Sequence, residues 1–179
     1  MPSLAGAADP ICDAMWQSDE YELVREQWIP RSVDEVAPFF ADAANLGVLT
    51  PPWLHFTIRT PLPIGMQKGQ RIRYRIRLFG VPLHWTTEIT AWSPPHGFTD
   101  SQLSGPYASW VHEHEFVPMG GGVLMRDRVR YRMRFGILGR VAHELFVRAA
   151  LAAIFDYRFR AVAQLKAAPA TSDSSRATA

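Results

Sequence analysis

Cysteine is almost missing from this sequence. Its single Cys12 lies near the N-terminus, which excludes a disulfide framework and a cysteine-rich zinc site. Long apolar runs are missing too: no stretch of about 18 uncharged apolar residues exists, the length a membrane span needs. The opening residues, MPSLAGAADP, lack the basic start and apolar centre of a secretory signal. Together these absences give a reducing, cytoplasmic setting as the expectation. An excess of one charge is also lacking, with 19 Lys and Arg against 17 Asp and Glu, a net of +2. A nearly balanced surface argues against nucleic acid as a partner. The sequence holds no GxSxG elbow, Walker loop, GxGxxG or HExxH. Gly120-Gly121-Gly122 precedes a strand pattern and not a helix, so it is a hairpin turn and not a phosphate cradle.

Apolar and aromatic residues are abundant. Of 179 residues, 47% are hydrophobic and 12% aromatic, which suits one globular domain with a sizeable core. Residues 1–18 are small and mixed, and 167–179 (AAPATSDSSRATA) are rich in Ala, Ser and Thr. Both are expected to be flexible tails around a single domain at 19–166.

Two neighbouring segments are the most informative. Segment 107–117 reads YASWVHEHEFV and segment 123–134 reads VLMRDRVRYRMR. Each alternates with period two, as a strand with one buried and one wet side does. Arg126, Arg128, Arg130, Arg132 and Arg134 share one face; Met125, Asp127, Val129, Tyr131 and Met133 share the other. In the first segment Glu113 and Glu115 share a face, and Trp110, His112, His114 and Phe116 take the opposite one. Pairing 109–117 with 124–132 as a hairpin sets the glutamates among the arginines, Trp110 near Tyr131, and His114 near Asp127.

The remaining chain follows the same logic. Residues 20–29 read as a strand, and Ser32 with Glu35 has capping-box spacing for a short helix with Val36, Phe39 and Phe40 inside. A second short helix is expected at 43–49, before Pro51-Pro52. Further strands follow at 54–58, 70–79, 83–92 and 98–104. From Leu138 to Leu165 the period becomes helical, and residues 140–165 contain no Pro or Gly. Leu138, Val141, Leu145, Ala149, Ala152, Phe155, Phe159 and Val162 are the expected buried face. Strands followed by one long helix predict an α+β fold: a curved antiparallel sheet of six to seven strands wrapped on a C-terminal helix.

This order of elements resembles the helix-grip fold of the SRPBCC superfamily, also called START-like, birch-pollen-allergen-like or polyketide cyclase/dehydrase-like. The pieces that carry the resemblance are 29–56 (IPRSVDEVAPFFADAANLGVLTPPWLHF), 105–116 (GPYASWVHEHEF), 125–139 (MRDRVRYRMRFGILG) and 154–158 (IFDYR). They span about residues 20–166 and are similar to a bacterial, ligand-binding branch of the superfamily. The resemblance implies a cavity between sheet and helix, but no one activity, because the superfamily includes lipid carriers, quinone binders, toxin-sequestering proteins and aromatase/cyclases.

The inner face supplies the candidate residues. Trp53, Phe56, Tyr74, Trp85, Tyr107, Trp110, Tyr131 and Leu145 are candidate ligand contacts, with Trp85 and Trp110 as pocket wall and Trp53 and Tyr107 at the rim. His112, His114 and Asp127 add polar chemistry. They suit a buried hydrogen-bonded network, a ligand contact, an acid–base group, or two histidines and a carboxylate around a metal. A firm third metal ligand is not visible in the sequence, so no metal and no other cofactor is the expectation. Three functional readings stay open: binding of a small hydrophobic molecule, a cyclase or dehydratase using His112, His114 and Asp127, and an interaction module acting through a partner enzyme or as a homodimer.

Overall fold

The structure, a computed structural model, describes residues 20–165. Both expected tails, and Cys12, lie outside the described residues. Seven strands form one antiparallel sheet: β1 (Glu20–Ile29), β2 (Thr57–Ile58), β3 (Arg71–Leu78), β4 (Val81–Ser93), β5 (Gly97–Ser104), β6 (Ser109–Met119) and β7 (Gly122–Arg132). Their spatial order is β1-β7-β6-β5-β4-β3-β2, so the first strand pairs with the last. Helix α1 (Val33–Ala41) and 3₁₀ turns at Ala43–Gly47 and Pro52–Leu54 follow β1. A C-terminal helical segment closes the concave face: α2 (Gly136–Ala142), a π turn (His143–Val147) and α3 (Arg148–Leu165). This is the expected helix-grip layout. Among the described residues no helix is long and apolar enough to cross a membrane.

Local chemistry explains the elements. Gly120 and Gly121 take φ of +58° and +78°, the left-handed pair that a two-residue hairpin turn requires. That turn fixes the register of β6 and β7: Trp110 faces Tyr131, His114 faces Asp127, Glu113 faces Arg128 and Glu115 faces Arg126. On the outer face Arg130 reaches Glu113 at 2.6 Å, and Arg126 reaches both Glu26 at 2.6 Å and Glu115 at 2.7 Å. The charged stripe of β7 therefore forms an ion-paired outer surface. At the start of α1, the Ser32 backbone N–H donates to Glu35 Oε2 at 2.9 Å, the expected capping interaction.

Two apolar clusters fill the space between sheet and helices. One, under α1, includes Ile29, Val36, Phe40, Phe116, Val123 and Val162. The other, under α3, includes Trp85, Tyr107, Trp110, Val129, Tyr131, Leu151 and Phe155.

The C-terminal helix departs from the expected face. Leu138, Val141 and Leu145 are exposed, Leu145 at 62% of its area, and Phe159 is exposed as well. The inward residues are His143, Leu151, Phe155, Arg158 and Val162. For Leu138, Val141 and Leu145 the π turn at His143–Val147 is the physical reason: a wider turn shifts the phase of the helix, so a strict 3.6-residue count carried back from Phe155 selects the wrong side. The winding continues from Gly136 to Leu165, but it is not one regular α-helix. Leu145 and Phe146 instead join Phe79, Phe135, Ile137 and Leu138 among the exposed apolar residues, with the Phe79 and Phe146 rings 6.4 Å apart.

Two consequences are measurable by urea denaturation. Leu145→Asp should change stability by less than about 0.5 kcal/mol, as an exposed substitution does. Leu151→Ala, at a site that is 5% exposed, should cost about 2–5 kcal/mol. Equal losses in the two variants would mean that the helix presents the other face.

Candidate functional site

A cavity of about 260 Å³ lies between the sheet and α3. Its walls are apolar and aromatic: Phe56, Tyr74, Ile76, Trp85, Tyr107 and Trp110 from the first half and the sheet, and Leu151, Ile154 and Phe155 from α3. Tyr74 stacks on Trp85 at 5.8 Å, and Trp110 meets Trp85 edge-on at 5.3 Å. Period-two alternation on β3, β4 and β6 turns these rings inward. The buried Trp85 Nε1 has no hydrogen-bond partner among the described residues.

One end of the cavity is polar. His112 and His114 project from β6, Asp100 from β5, and Arg158 from α3, and all four line the cavity. Asp127, on β7, lies directly behind them and is 1% exposed. Arg158 grips this carboxylate with two donors, Nε to Oδ2 at 2.8 Å and Nη2 to Oδ1 at 3.2 Å. Both imidazoles point at the same Oδ1: His112 Nε2 at 3.1 Å and His114 Nδ1 at 2.9 Å. An ionised carboxylate can only accept, so His112 Nε2 carries a proton, whereas His114 Nδ1 lies between Asp127 Oδ1 and Arg158 Nη2, the latter at 3.3 Å. The opposite ring nitrogens face Asp100 Oδ2, His114 Nε2 at 3.3 Å and His112 Nδ1 at 3.8 Å. Thr87 Oγ1 donates to the other Asp100 oxygen at 2.9 Å. The two rings stand 3.8 Å apart between the two carboxylates.

Electrostatics follow from this packing. Burial alone would push the Asp127 carboxyl up, but the Arg158 charge and the hydrogen bonds from both imidazoles hold it well below the usual carboxylate range. Asp100 behaves alike: burial raises it, and the hydrogen bond from His114, the nearby histidines and Thr87 bring it below its ordinary value. Burial and the neighbouring His114 pull His112 below the ordinary histidine value. Burial also opposes a charge on His114, yet its hydrogen bonds to Asp100 and Asp127 prevail and raise it. His114 is thus the more basic imidazole, while His112 Nδ1, at 3.8 Å from Asp100 Oδ2, lies beyond hydrogen-bond reach of it. Burial raises the Tyr74 phenol well above its ordinary value, so it stays neutral.

The candidate residues separate by position. Phe56, Tyr74, Trp85, Tyr107, Trp110, His112 and His114 line the cavity. Tyr107 belongs to the wall and not the rim, being 8% exposed and in contact with Trp85, Trp110 and Tyr131. Trp53 is 48% exposed on the Pro52–Leu54 turn and is not part of the wall. Asp127 and Tyr131 stand behind the lining, and the Tyr131 hydroxyl lies 2.9 Å from His143 Nε2. Leu145 is not brought to the cavity, because it lies on the outer side of the π turn. Two residues of the polar end were missed in the sequence, Asp100 and Arg158. Each had a signal: Asp100 alternates with Phe98 and Gln102, and Arg158 sits three residues after Phe155 and four before Val162.

Breaking the buried pair should be costly. Arg158→Met should lose about 3–5 kcal/mol, because it strands the Asp127 charge. Adding Asp127→Asn should recover part of that loss in a double-mutant cycle read by thermal unfolding. Additive losses would show that the two groups are not coupled.

No family model and no curated protein matches the sequence. Solved structures do match the fold. An aromatase/cyclase from Streptomyces sp. R1128 superposes with a TM-score of 0.66 at 15% identity, over 83% of this chain and 94% of that one. Major latex-like protein 151 from Panax ginseng gives 0.61 at 12% identity, over 83% and 99%. A point mutant of norcoclaurine synthase from Thalictrum flavum, in complex with a transition-state analogue, gives 0.58 at 15% identity, over 82% and 96%. These likenesses establish the architecture: the chain has the helix-grip fold that these proteins share.

Proposed function

We propose that the chain binds one small hydrophobic ligand with a polar end, held between the sheet and α3 for carriage, sequestration or sensing. The observation that carries this reading is a cavity with an aromatic body and a single polar end. A cavity of about 150 Å³ holds one benzene, so 260 Å³ suits a ligand of about two rings. The polar end offers imidazoles, and Trp85 Nε1 is an unpartnered donor within the aromatic wall. A ligand acceptor that reached it would satisfy a buried N–H, which favours a partly oxygenated ligand over a pure hydrocarbon.

The test is displacement of an apolar fluorophore from the purified protein. Trp110→Ala should weaken fluorophore binding by at least about tenfold, equal to 1.4 kcal/mol. Unchanged affinity in a folded Trp110→Ala variant would move the ligand site elsewhere.

One observation favours a second reading, a cyclase or dehydratase acting by proton transfer. His112 lines the cavity and is oriented by Asp127, as a base is oriented by a carboxylate. An aromatase/cyclase is among the proteins that share the fold. His112→Gln separates the two readings. Under binding alone, it should weaken ligand affinity by a cost of about 1–3 kcal/mol for the lost hydrogen bonding. Under catalysis, it should cut a cyclisation or dehydration rate by about 10²–10⁴-fold with little change in ligand affinity or melting temperature.

A further inference from the structure

The polar end of the cavity contains a donor set whose combined geometry neither reading requires. His112 Nδ1, His114 Nε2 and one oxygen of Asp100 all lie within 4.8 Å of one another. The carboxylate oxygen is 3.3 Å from His114 Nε2 and 3.8 Å from His112 Nδ1. Metal–donor bonds of about 2.0–2.2 Å at tetrahedral angles place donors about 3.3 Å apart. The His114 separation equals that spacing and the His112 separation exceeds it by about 0.5 Å.

The surroundings match what such a triad requires. A ligating imidazole presents one lone pair to the metal and donates its other N–H to an acceptor. Here Asp127 Oδ1 takes the N–H of His112 Nε2 and stands 2.9 Å from His114 Nδ1, which also has Arg158 Nη2 at 3.3 Å. It thereby turns His112 Nδ1 and His114 Nε2 toward the same Asp100 oxygen. The second Asp100 oxygen is held by Thr87 Oγ1. Asp127 is fixed by Arg158, which holds both of its oxygens. In the sequence, Asp127 is the carboxylate that pairs with the histidines across the hairpin. The structure puts Asp127 behind them and supplies Asp100, from a different strand, in front.

We propose that Asp100, His112 and His114 form a site for one divalent transition-metal ion of the zinc type, open toward the apolar cavity. Two imidazoles and one carboxylate favour such ions over magnesium and calcium, which prefer oxygen-only shells. Three protein ligands leave further coordination positions, and all three residues line the cavity, so those positions face the ligand space. Coordination replaces the hydrogen between His114 Nε2 and Asp100, and that proton leaves to solvent. With Asp100 and Asp127 ionised and Arg158 charged, a divalent ion leaves the cluster one positive charge in excess. A hydroxide, carboxylate or phenolate oxygen from the cavity side then completes the shell. This goes beyond the binding reading and stands or falls separately from it.

The test uses the full chain, tag-free and stripped with a chelator, with no hydrophobic ligand present. Zn²⁺ is titrated by calorimetry, and Co²⁺ by its visible absorption. One equivalent should bind, with cobalt d–d bands that report nitrogen and oxygen ligands. Asp100→Asn and His114→Ala should weaken binding by more than about 100-fold, beyond the 10–100-fold typical of outer-shell changes. His96→Gln, at an exposed histidine, should leave it unchanged. If circular dichroism shows His114→Ala unfolded, Asp100→Asn and His112→Gln, which nearly preserve volume, decide the matter. Less than one tight equivalent in the full chain overturns the proposal, and so does wild-type affinity in folded Asp100→Asn. Neither result touches fluorophore binding, so failure here and failure of the cavity reading are told apart.

Discussion

The bidentate pair between Asp127 and Arg158 is the constraint on which the rest of the site depends. It ties the middle of β7 to the middle of α3, with both partners buried. A buried ion pair contributes little net stability compared with apolar side chains of the same volume, since desolvation offsets most of the attraction. What it contributes here is position. Asp127 accepts from two guanidinium donors and from His112, and His114 Nδ1 lies 2.9 Å from the same carboxylate. Any slide of α3 along the sheet, or rotation about its axis, would break several of these bonds together. The helix therefore has one seat, and the two histidines have one orientation.

That seat also explains why the cavity has two ends of opposite character. Toward Tyr74, Trp85 and Trp110, the walls come from neighbouring strands whose inward positions are aromatic, and α3 offers Leu151, Ile154 and Phe155. Toward β5 and β7 the inward positions carry charge, and the charge is matched within the protein before any ligand arrives. Asp100 and Asp127 face Arg158 and a protonation-prone His114, so the cluster can stay ionised while buried. A ligand entering here meets oriented dipoles already held by the protein, in buried surroundings that strengthen each polar contact.

Much of this was legible in the sequence because β-strands alternate with a period of two. The β6–β7 hairpin, its two-glycine turn, the Trp110–Tyr131 and His114–Asp127 pairs and the outward arginines all follow from alternation plus one turn. Helical phase was less legible. The period of 3.6 residues accumulates error, and one π turn at His143–Val147 was enough to move Leu145 from the expected core face to the surface. Asp100 was overlooked because its strand, FTDSQLS, is polar on both faces and looks weak. Arg158 was overlooked because a charged residue on an apolar helix face reads as an exception until its partner is known. Asp127 is that partner, separated from it by 31 positions, a distance over which periodicity carries no information.

The geometry also limits which chemistries can coexist at the polar end. Asp127 holds the proton on His112 Nε2 and, with Arg158, occupies His114 Nδ1, so His112 Nδ1 and His114 Nε2 are the nitrogens that face the cavity side. Those two nitrogens can accept a proton from a bound molecule or a lone-pair bond to a metal, but one nitrogen cannot do both at once. In the metal-loaded state, proton transfer would pass to whatever occupies the open coordination positions, and the histidines would serve as ligands. In the metal-free state, His112 Nδ1 is the better base position, because Asp100 already engages His114 Nε2 at 3.3 Å but leaves His112 at 3.8 Å. The asymmetry between two residues spaced two apart on one strand thus arises from a single carboxylate on the neighbouring strand, nearer to one ring than the other.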